Sequence, residues 1–201
     1  MPVLSYLRRL AVLIAITCAA HMPAAHAALL DFRVSSADAV MGESVSVDIV
    51  VSGLGDFSPD SLGAFDVSVA YDPVVFALSG YTLGAFLGDP GSAESLDASA
   101  GDIGGSVNIA QVSLLANAAL HALQPGEFAL ATLDFDVLDL AIGATSQLSF
   151  AGALLGDTGG SALPATSGGP ATFVGRAEVP TPATALLLLG GLLSLRAARR
   201  R

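Results

Sequence analysis

The chain has 201 residues, of which 53% are hydrophobic and 13% are charged, and 18 acidic side chains outnumber 8 basic ones. It contains no lysine, which excludes a P-loop, a Schiff-base enzyme and a Ser-Lys nucleophile, because each of these sites needs the ammonium group. All 18 acidic residues lie between positions 28 and 178, where Arg33 and Arg176 are the only basic residues. We therefore expect this part of the chain to bind neither nucleic acid nor anionic membrane surfaces.

Residues 1–27 have the three parts of a secretory signal peptide. Two arginines precede an apolar run at residues 10–20, and Ala25 and Ala27 form a small-x-small cleavage site. The apolar run is about 16 Å long as a helix, too short for the ~30 Å hydrocarbon core of a bilayer. We predict cleavage after Ala27, with an uncleaved anchor as the alternative. The single cysteine, Cys18, would leave with the signal peptide, so the mature chain would have no disulfide.

The middle of the chain, residues 28–175, shows the hydrophobic period of two that is typical of strands with one buried face. Alternating segments occur at residues 44–51, 65–71, 107–110, 133–138 and 148–150, with turn-rich segments between them. Phe128 and Leu130 have the opposite parity from the fourth of these segments, which predicts a β-bulge near residues 131–132. Residues 113–123 are predicted to be a loop or a short helix. The whole pattern predicts an all-β fold of the β-sandwich class.

Two long loops rich in glycine and serine, at residues 88–105 and 156–170, are the expected places for a ligand site. Four carboxylates of the first loop are candidate Ca²⁺ ligands, because this ion takes oxygen ligands and tolerates irregular loops. They belong to Asp89, Glu94, Asp97 and Asp102. The loop has no EF-hand pattern, and we expect no other cofactor.

Residues that could carry out catalysis are few. His121 is the only histidine after position 27, and no Gly-x-Ser-x-Gly segment is present. We therefore expect neither an acyl-transfer site nor a zinc site, and we interpret His121 as an incidental loop residue. Asp134 and Asp136 could form the carboxylate pair of a small glycosidase. Residues two apart on a strand share one face, however, and two solubilising side chains are the simpler interpretation. The sequence therefore predicts no catalysis.

The C-terminal residues form a linker at 176–182 and an apolar and basic segment at 183–201. The linker includes Val179, Pro180 and Pro182. The apolar run ends at position 195 and is followed by Arg196, Arg199, Arg200 and Arg201. Its 13 residues cover only about 20 Å as a helix, so we expect a transient or strained membrane anchor with its basic end on the cytoplasmic side.

This order of Pro-x-Pro, leucine- and glycine-rich segment and terminal arginines resembles the PEP-CTERM sorting tail of proteins exported by Gram-negative bacteria. The resemblance covers residues 179–201, and Thr181 stands where the family most often has glutamate, which here occurs earlier as Glu178. It implies recognition and cleavage of the tail by an exosortase, an integral membrane cysteine transpeptidase, in bacteria that make extracellular polysaccharide. The implied location is the cell envelope, the cell surface or the extracellular matrix.

The middle region is similar to a cohesin-type domain at residues 42–49, 62–73 and 130–137. Within the second segment, Tyr71 and Asp72 precede Pro73, which ends a strand because proline has no amide hydrogen to donate. The family is a jelly-roll β-sandwich known from cellulosome scaffoldins, where it binds dockerin modules. The resemblance thus implies a jelly-roll fold and a dockerin-like partner.

These features together predict an exported envelope or matrix protein with a structural or binding role and no catalysis. Exosortase and exopolysaccharide are the partners that the tail suggests. The alternative is a cohesin-type module that binds a dockerin-like protein or a carbohydrate, which requires an exposed apolar or aromatic patch on one sheet face. The absence of tryptophan disfavours carbohydrate stacking. A small carboxylate-dependent glycosidase is the second alternative.

Overall fold

The structure, a computed structural model, describes residues 27–177. Ala27 immediately precedes the first strand. Ala25 and the predicted sorting residues lie outside the described residues, namely Val179, Pro180, Pro182, Arg199, Arg200 and Arg201. Within residues 27–177, no helix has the length and apolar character needed to cross a membrane.

Thirteen strands make up most of the described residues. They are β1 (Ala28–Val34), β2 (Asp38–Val40), β3 (Ser44–Ser52), β4 (Leu62–Ala70), β5 (Phe76–Leu83), β6 (Ser95–Asp97), β7 (Gly101–Asp102), β8 (Ser106–Ser113), β9 (Glu127–Val137), β10 (Thr145–Asp157), β11 (Ala162–Leu163), β12 (Ala165–Ser167) and β13 (Ala171–Arg176). Residues 27–177 also contain one α-helix, α1 (Asn117–Leu123), and two 3₁₀ turns, Ala85–Leu87 and Pro90–Ser92. The short helix that was one of two expectations for residues 113–123 is confirmed.

The strands form two sheets that pack face to face. The five-stranded sheet has the order β12-β1-β3-β9-β5, and the eight-stranded sheet has the order β2-β13-β10-β4-β8-β6, with β11 on β10 and β7 on β8. Pairing is antiparallel except for β1 with β12 and β2 with β13. The predicted all-β jelly-roll sandwich is confirmed.

The alternation in β3 decides which side chains enter the core. Val45, Val47 and Ile49 are buried, whereas Ser44 and Ser46 point to solvent on the other side of the sheet. Because burial of each such aliphatic side chain contributes about 1.5–3 kcal/mol, a one-residue register slip in this strand would be strongly unfavourable.

A β-bulge in β9 restores the inward parity of its apolar residues. Ile49 pairs with Ala131 and Val50 pairs with Ala129, so Leu130 is the extra residue. Phe128 and Leu130 are therefore buried, as are the apolar residues that follow in β9. The predicted bulge is confirmed, one residue before the expected position.

Aromatic rings from both sheets meet in the core. The Phe135 ring of β9 lies edge-to-face against Tyr71, with centroids 5.1 Å apart, and against Phe76 at 6.0 Å. Phe76 in turn contacts Phe173 of β13 at 5.3 Å. Such pairs contribute about 0.5–1.5 kcal/mol each beyond their buried area. The cluster joins the sheets without any disulfide.

The end of the sandwich next to α1 is closed by one buried amide. Gln124 follows α1 and is fully buried. Its Nε2 donates to the carbonyls of Leu62 (2.7 Å) and Phe86 (3.0 Å), and its Oε1 accepts from the Leu62 amide (2.7 Å). The side chain thereby replaces the missing strand partner at the start of β4.

Candidate binding face of the eight-stranded sheet

The first two candidate calcium ligands stabilise a local turn. Asp89 Oδ1 accepts from the Gly91 amide (2.9 Å), and its Oδ2 accepts from the Ser92 hydroxyl (2.8 Å). Hydrogen bonds from Ser92 and Gly91 lower the pKa of Asp89 below its ordinary value. Glu94 folds back onto the same turn, where its Oε2 accepts from the Asp89 amide (3.1 Å). The two carboxylates therefore cap backbone groups.

The other two candidates are bound to tyrosines. Asp97 accepts from Tyr81 (3.0 Å), and Asp102 accepts from Tyr71 (2.7 Å). Burial acts to raise the pKa of Asp97, but the hydrogen bonds to its carboxylate outweigh burial, so the pKa is lowered. The pKa of Tyr71 is raised, mainly by burial and then by the hydrogen bond to Asp102.

These acids sit on strands that meet β8 at different points, because Asp97 pairs with Gln111 and Asp102 pairs with Val107. Four residues along a strand separate these pairing positions by about 13 Å. Among residues 27–177, no three acidic, histidine or cysteine side chains come together as a set that could hold a metal ion. The four candidate residues are thus not brought into one calcium site.

The proposed glycosidase pair lies on the outer side of the five-stranded sheet. The Ser46 hydroxyl donates to Asp134 (2.5 Å), and the Ser44 hydroxyl donates to Asp136 (2.7 Å). The carboxylates stand side by side on β9, each bonded to its cross-strand serine. They do not face each other across a cleft, as acid and base of a glycosidase must.

His121 is not an incidental loop residue, so that interpretation is wrong. It lies in α1, and its Nδ1 is 2.7 Å from the hydroxyl of Ser61. Ser61 is only 1% exposed, so its hydroxyl is closed to a substrate and joins the helix to the loop before β4. Sequence distance hid this contact, because the two residues are 60 positions apart.

The outer side of β10, β4, β8 and β6 carries aliphatic side chains. These residues are far apart in the sequence, and the pairing of their strands brings them onto one face. One row across the sheet contains Gly156, Ala64, Val112 and Leu96, and the next contains Leu154, Asp66, Ala110 and Ala98. Leu154 is 73% exposed, Leu96 58% and Val112 40%. We call the aliphatic members of these two rows, without the glycine, the apolar face.

One polar cluster lies within this face. The side-chain nitrogen Nδ2 of Asn108 donates to Asp66 Oδ1 (2.6 Å) and to the Ser68 hydroxyl (3.2 Å), which fixes the Asp66 carboxylate in place. A shallow depression of about 420 Å³ is lined by Asp66, by most of the apolar face and by Gly160 of the loop after β10. The surface thus combines a desolvatable apolar area with one oriented negative charge.

Sequence reasoning required an apolar patch for a binding module but did not locate it. Pairs of adjacent apolar residues within a strand could have indicated its position. Leu154 and Leu155 are such a pair in β10, and only Leu155 is buried. In a strand with one buried face, the second residue of such a pair must be exposed.

A scan against protein-family models finds no match, and a search of curated protein sequences finds none. Solved structures do match. A type II cohesin domain from the cellulosome of Acetivibrio cellulolyticus has a TM-score of 0.59 and 18% identity, covering 73% of this chain and 95% of that one. A type I cohesin from Clostridium thermocellum, in a cohesin–dockerin complex, has a TM-score of 0.59 and 13% identity, covering 79% and 100%.

A cohesin module from a Clostridium perfringens family 33 glycoside hydrolase is a third match, with a TM-score of 0.56 and 14% identity, covering 74% of this chain and 98% of that one. These identities establish shared architecture, since side chains at a binding surface can differ completely on one fold. The chain therefore has a cohesin-like jelly-roll β-sandwich.

Proposed function

We propose that this protein is a non-catalytic protein-binding module that takes a dockerin-like partner on the apolar face. The observation that carries the proposal is the group of exposed aliphatic side chains, Leu96, Val112 and Leu154, on one sheet face around the fixed carboxylate of Asp66. The cohesin-like fold supports it, because solved neighbours are complexed with dockerins.

The energetics of the apolar face suit association with another protein. Full burial of a leucine side chain contributes about 1.5–3 kcal/mol, so covering the exposed three-quarters of Leu154 would contribute about 1–2 kcal/mol. Three exposed side chains of this kind on one sheet face can supply the desolvated area that binding energy needs.

The charge of the site indicates what the partner must present. Asp66 is fixed through Asn108, and the region from 28 to 178 has 18 acidic residues against two basic ones. A partner with an apolar surface around one arginine, lysine or other donor would match this arrangement. The two rows of side chains that contain the apolar face include no aromatic residue, which makes a carbohydrate the weaker candidate.

The proposal is tested by comparing variants as bait. Leu154→Asp places a charge at the most exposed side chain of the apolar face. Phe57→Asp is the matched control, because Phe57 is 59% exposed on the loop between β3 and β4, where its amide donates to the carbonyl of Gln124 (2.9 Å). Proteins captured from the producing organism are quantified by mass spectrometry. We expect a partner that the wild type and Phe57→Asp retain and Leu154→Asp loses at least about tenfold.

The identity of that partner separates the two levels of the proposal. A dockerin-bearing protein would support the dockerin-like partner, and another protein would support only the binding module. Equal capture by all three baits would refute the apolar face as the binding surface.

We also propose that the chain is exported and sorted through its tail to the envelope or matrix of a Gram-negative bacterium, as an exosortase substrate that can meet exopolysaccharide. The first strand begins at Ala28, directly after the expected cleavage site, and the Ala28 nitrogen donates to the Pro164 carbonyl (2.9 Å). A free amino group there could keep that bond. This geometry supports cleavage after Ala27.

Mass spectrometry of the protein from its own envelope or medium tests this second proposal. We expect an N-terminus at Ala28 and loss of the residues beyond about position 182. An intact Arg201 in the membrane fraction would instead make the tail a permanent anchor.

A further inference from the structure

Exposed aliphatic side chains gather at the end of the sandwich from which the chain continues to its tail. Of the twelve exposed large hydrophobic side chains in residues 27–177, five occupy turns at this end, which we call the exit end. They are Met41, Val74, Ile103, Leu138 and Ile142, each 49–74% exposed. They are separate from the apolar face.

Backbone pairing places these turns together. The Gly42 amide donates to Val137 (2.9 Å), and the Leu138 amide donates to Val75 (2.8 Å), which joins the turns before β3 and β5 to the end of β9. The Gly143 amide donates to Gly175 (2.8 Å) and so joins the turn before β10 to the end of β13.

The turn that contains Ile103 belongs to the same end, because the Tyr71 amide donates to the Gly105 carbonyl (2.9 Å). By contrast, Leu29 of β1 pairs with Ser52 at the far end of β3, opposite the exit end.

The chain leaves the fold beside two of these side chains, Met41 and Ile142. Ala177, the last described residue, lines a groove of about 530 Å³ together with Met41, Leu140 and Ile142. Residues 178–182 then separate it from the apolar run at 183–195. The six steps from Ala177 to position 183 reach about 22 Å at most, so a membrane that holds the run must lie within that distance of the exit end.

We propose that the exit end rests on the surface of a bilayer while the tail is attached, with its aliphatic turn tips inserted between the headgroups. This inference depends on the proposed membrane insertion of the tail. Each inserted tip adds to binding because its exposed area leaves water. The strands then run away from the membrane, and the apolar face looks sideways, open to a partner.

The charges around the exit end select the kind of lipid. Four carboxylates lie next to the aliphatic tips in the sequence, namely those of Glu43, Asp72, Asp102 and Asp139. Arg176 is paired with Asp38 (2.8 Å). An anionic bilayer would repel these carboxylates, so the surface fits zwitterionic headgroups.

The absence of tryptophan from the chain permits a direct test. A chain that starts at Ala28 retains all thirteen strands and the tail, and a tryptophan replacing Ile142 or Val74 reports on the exit end. Phe57→Trp is the matched control at the other end. Each variant is mixed with phosphatidylcholine vesicles whose acyl chains are brominated and quench nearby indole fluorescence.

We expect quenching by at least about half for Ile142→Trp and Val74→Trp, little for Phe57→Trp, and weaker quenching at the two exit-end positions when phosphatidylglycerol is added. Co-sedimentation with vesicles without quenching at either exit-end position would overturn this inference and leave the tail proposal intact. Failure to co-sediment would overturn both. A fluorescence shift that depends on protein concentration alone would indicate self-association and also overturn it.

Discussion

Replacing Gln124 with leucine tests how one buried amide closes the end of the sandwich. The side chain is fully buried and makes three hydrogen bonds of 2.7–3.0 Å to the backbone of Leu62 and Phe86. Leucine has a similar size but no polar atoms. The substitution therefore leaves one amide and two carbonyl groups without these partners.

The expected loss of stability follows from those three groups. A buried polar group without a partner costs about 1–3 kcal/mol, and the new apolar side chain returns about 1–2 kcal/mol. We expect the free energy of unfolding to fall by about 4 kcal/mol. For a protein of this size, this corresponds to a decrease of about 8–16 °C in Tm.

Urea unfolding followed by circular dichroism measures this loss. Gln147→Leu is the matched control, because Gln147 is an exposed residue of β10 with a single side-chain hydrogen bond to Thr172 (3.2 Å). It should change stability by less than about 0.5 kcal/mol. If Gln124→Leu costs less than about 1 kcal/mol, or no more than the control, the closing role assigned to Gln124 is wrong.

Two further predictions concern pH and metal. The pKa of Tyr71 is raised in the fold from 10.0, so the contribution of this residue to stability is present below pH 10.0 and is lost as the pH rises through the raised pKa. Between about pH 10 and 12, Tyr71→Phe should therefore lose less stability than the wild type. Parallel curves of stability against pH for the two proteins would refute this role. Because Asp89, Glu94, Asp97 and Asp102 bind separate local donors, about 5 mM Ca²⁺ should leave Tm unchanged, whereas a rise of several degrees would show that they rearrange into a site.

The alternation of apolar and polar residues was sufficient to predict the sheets and even the irregularity in β9. The bulge at Leu130 could be expected because two in-facing residues, Phe128 and Leu130, are out of phase with the rest of the strand. Local spacing carries such information, since a strand has a period of two whatever it pairs with.

The calcium hypothesis was built on four acids close together in sequence, and closeness along the chain does not decide where carboxylates point. Asp97 and Asp102 pair with different parts of β8 and bind different tyrosines. Neither tyrosine belongs to the loop that contains the four acids. Likewise, the contact between Ser61 and His121 joins segments that nothing in the local sequence relates.

The sequence by itself determined the class of fold, the strand faces and the three-part patterns at both ends that predict export and sorting. Only the tertiary structure decided that Leu96, Val112 and Leu154 share one surface with Asp66, and that Met41 and Ile142 line one groove with Ala177, where the chain continues to its tail. The physical reason is that periodicity fixes which side chains leave the core, whereas strand order and register fix which of them become neighbours.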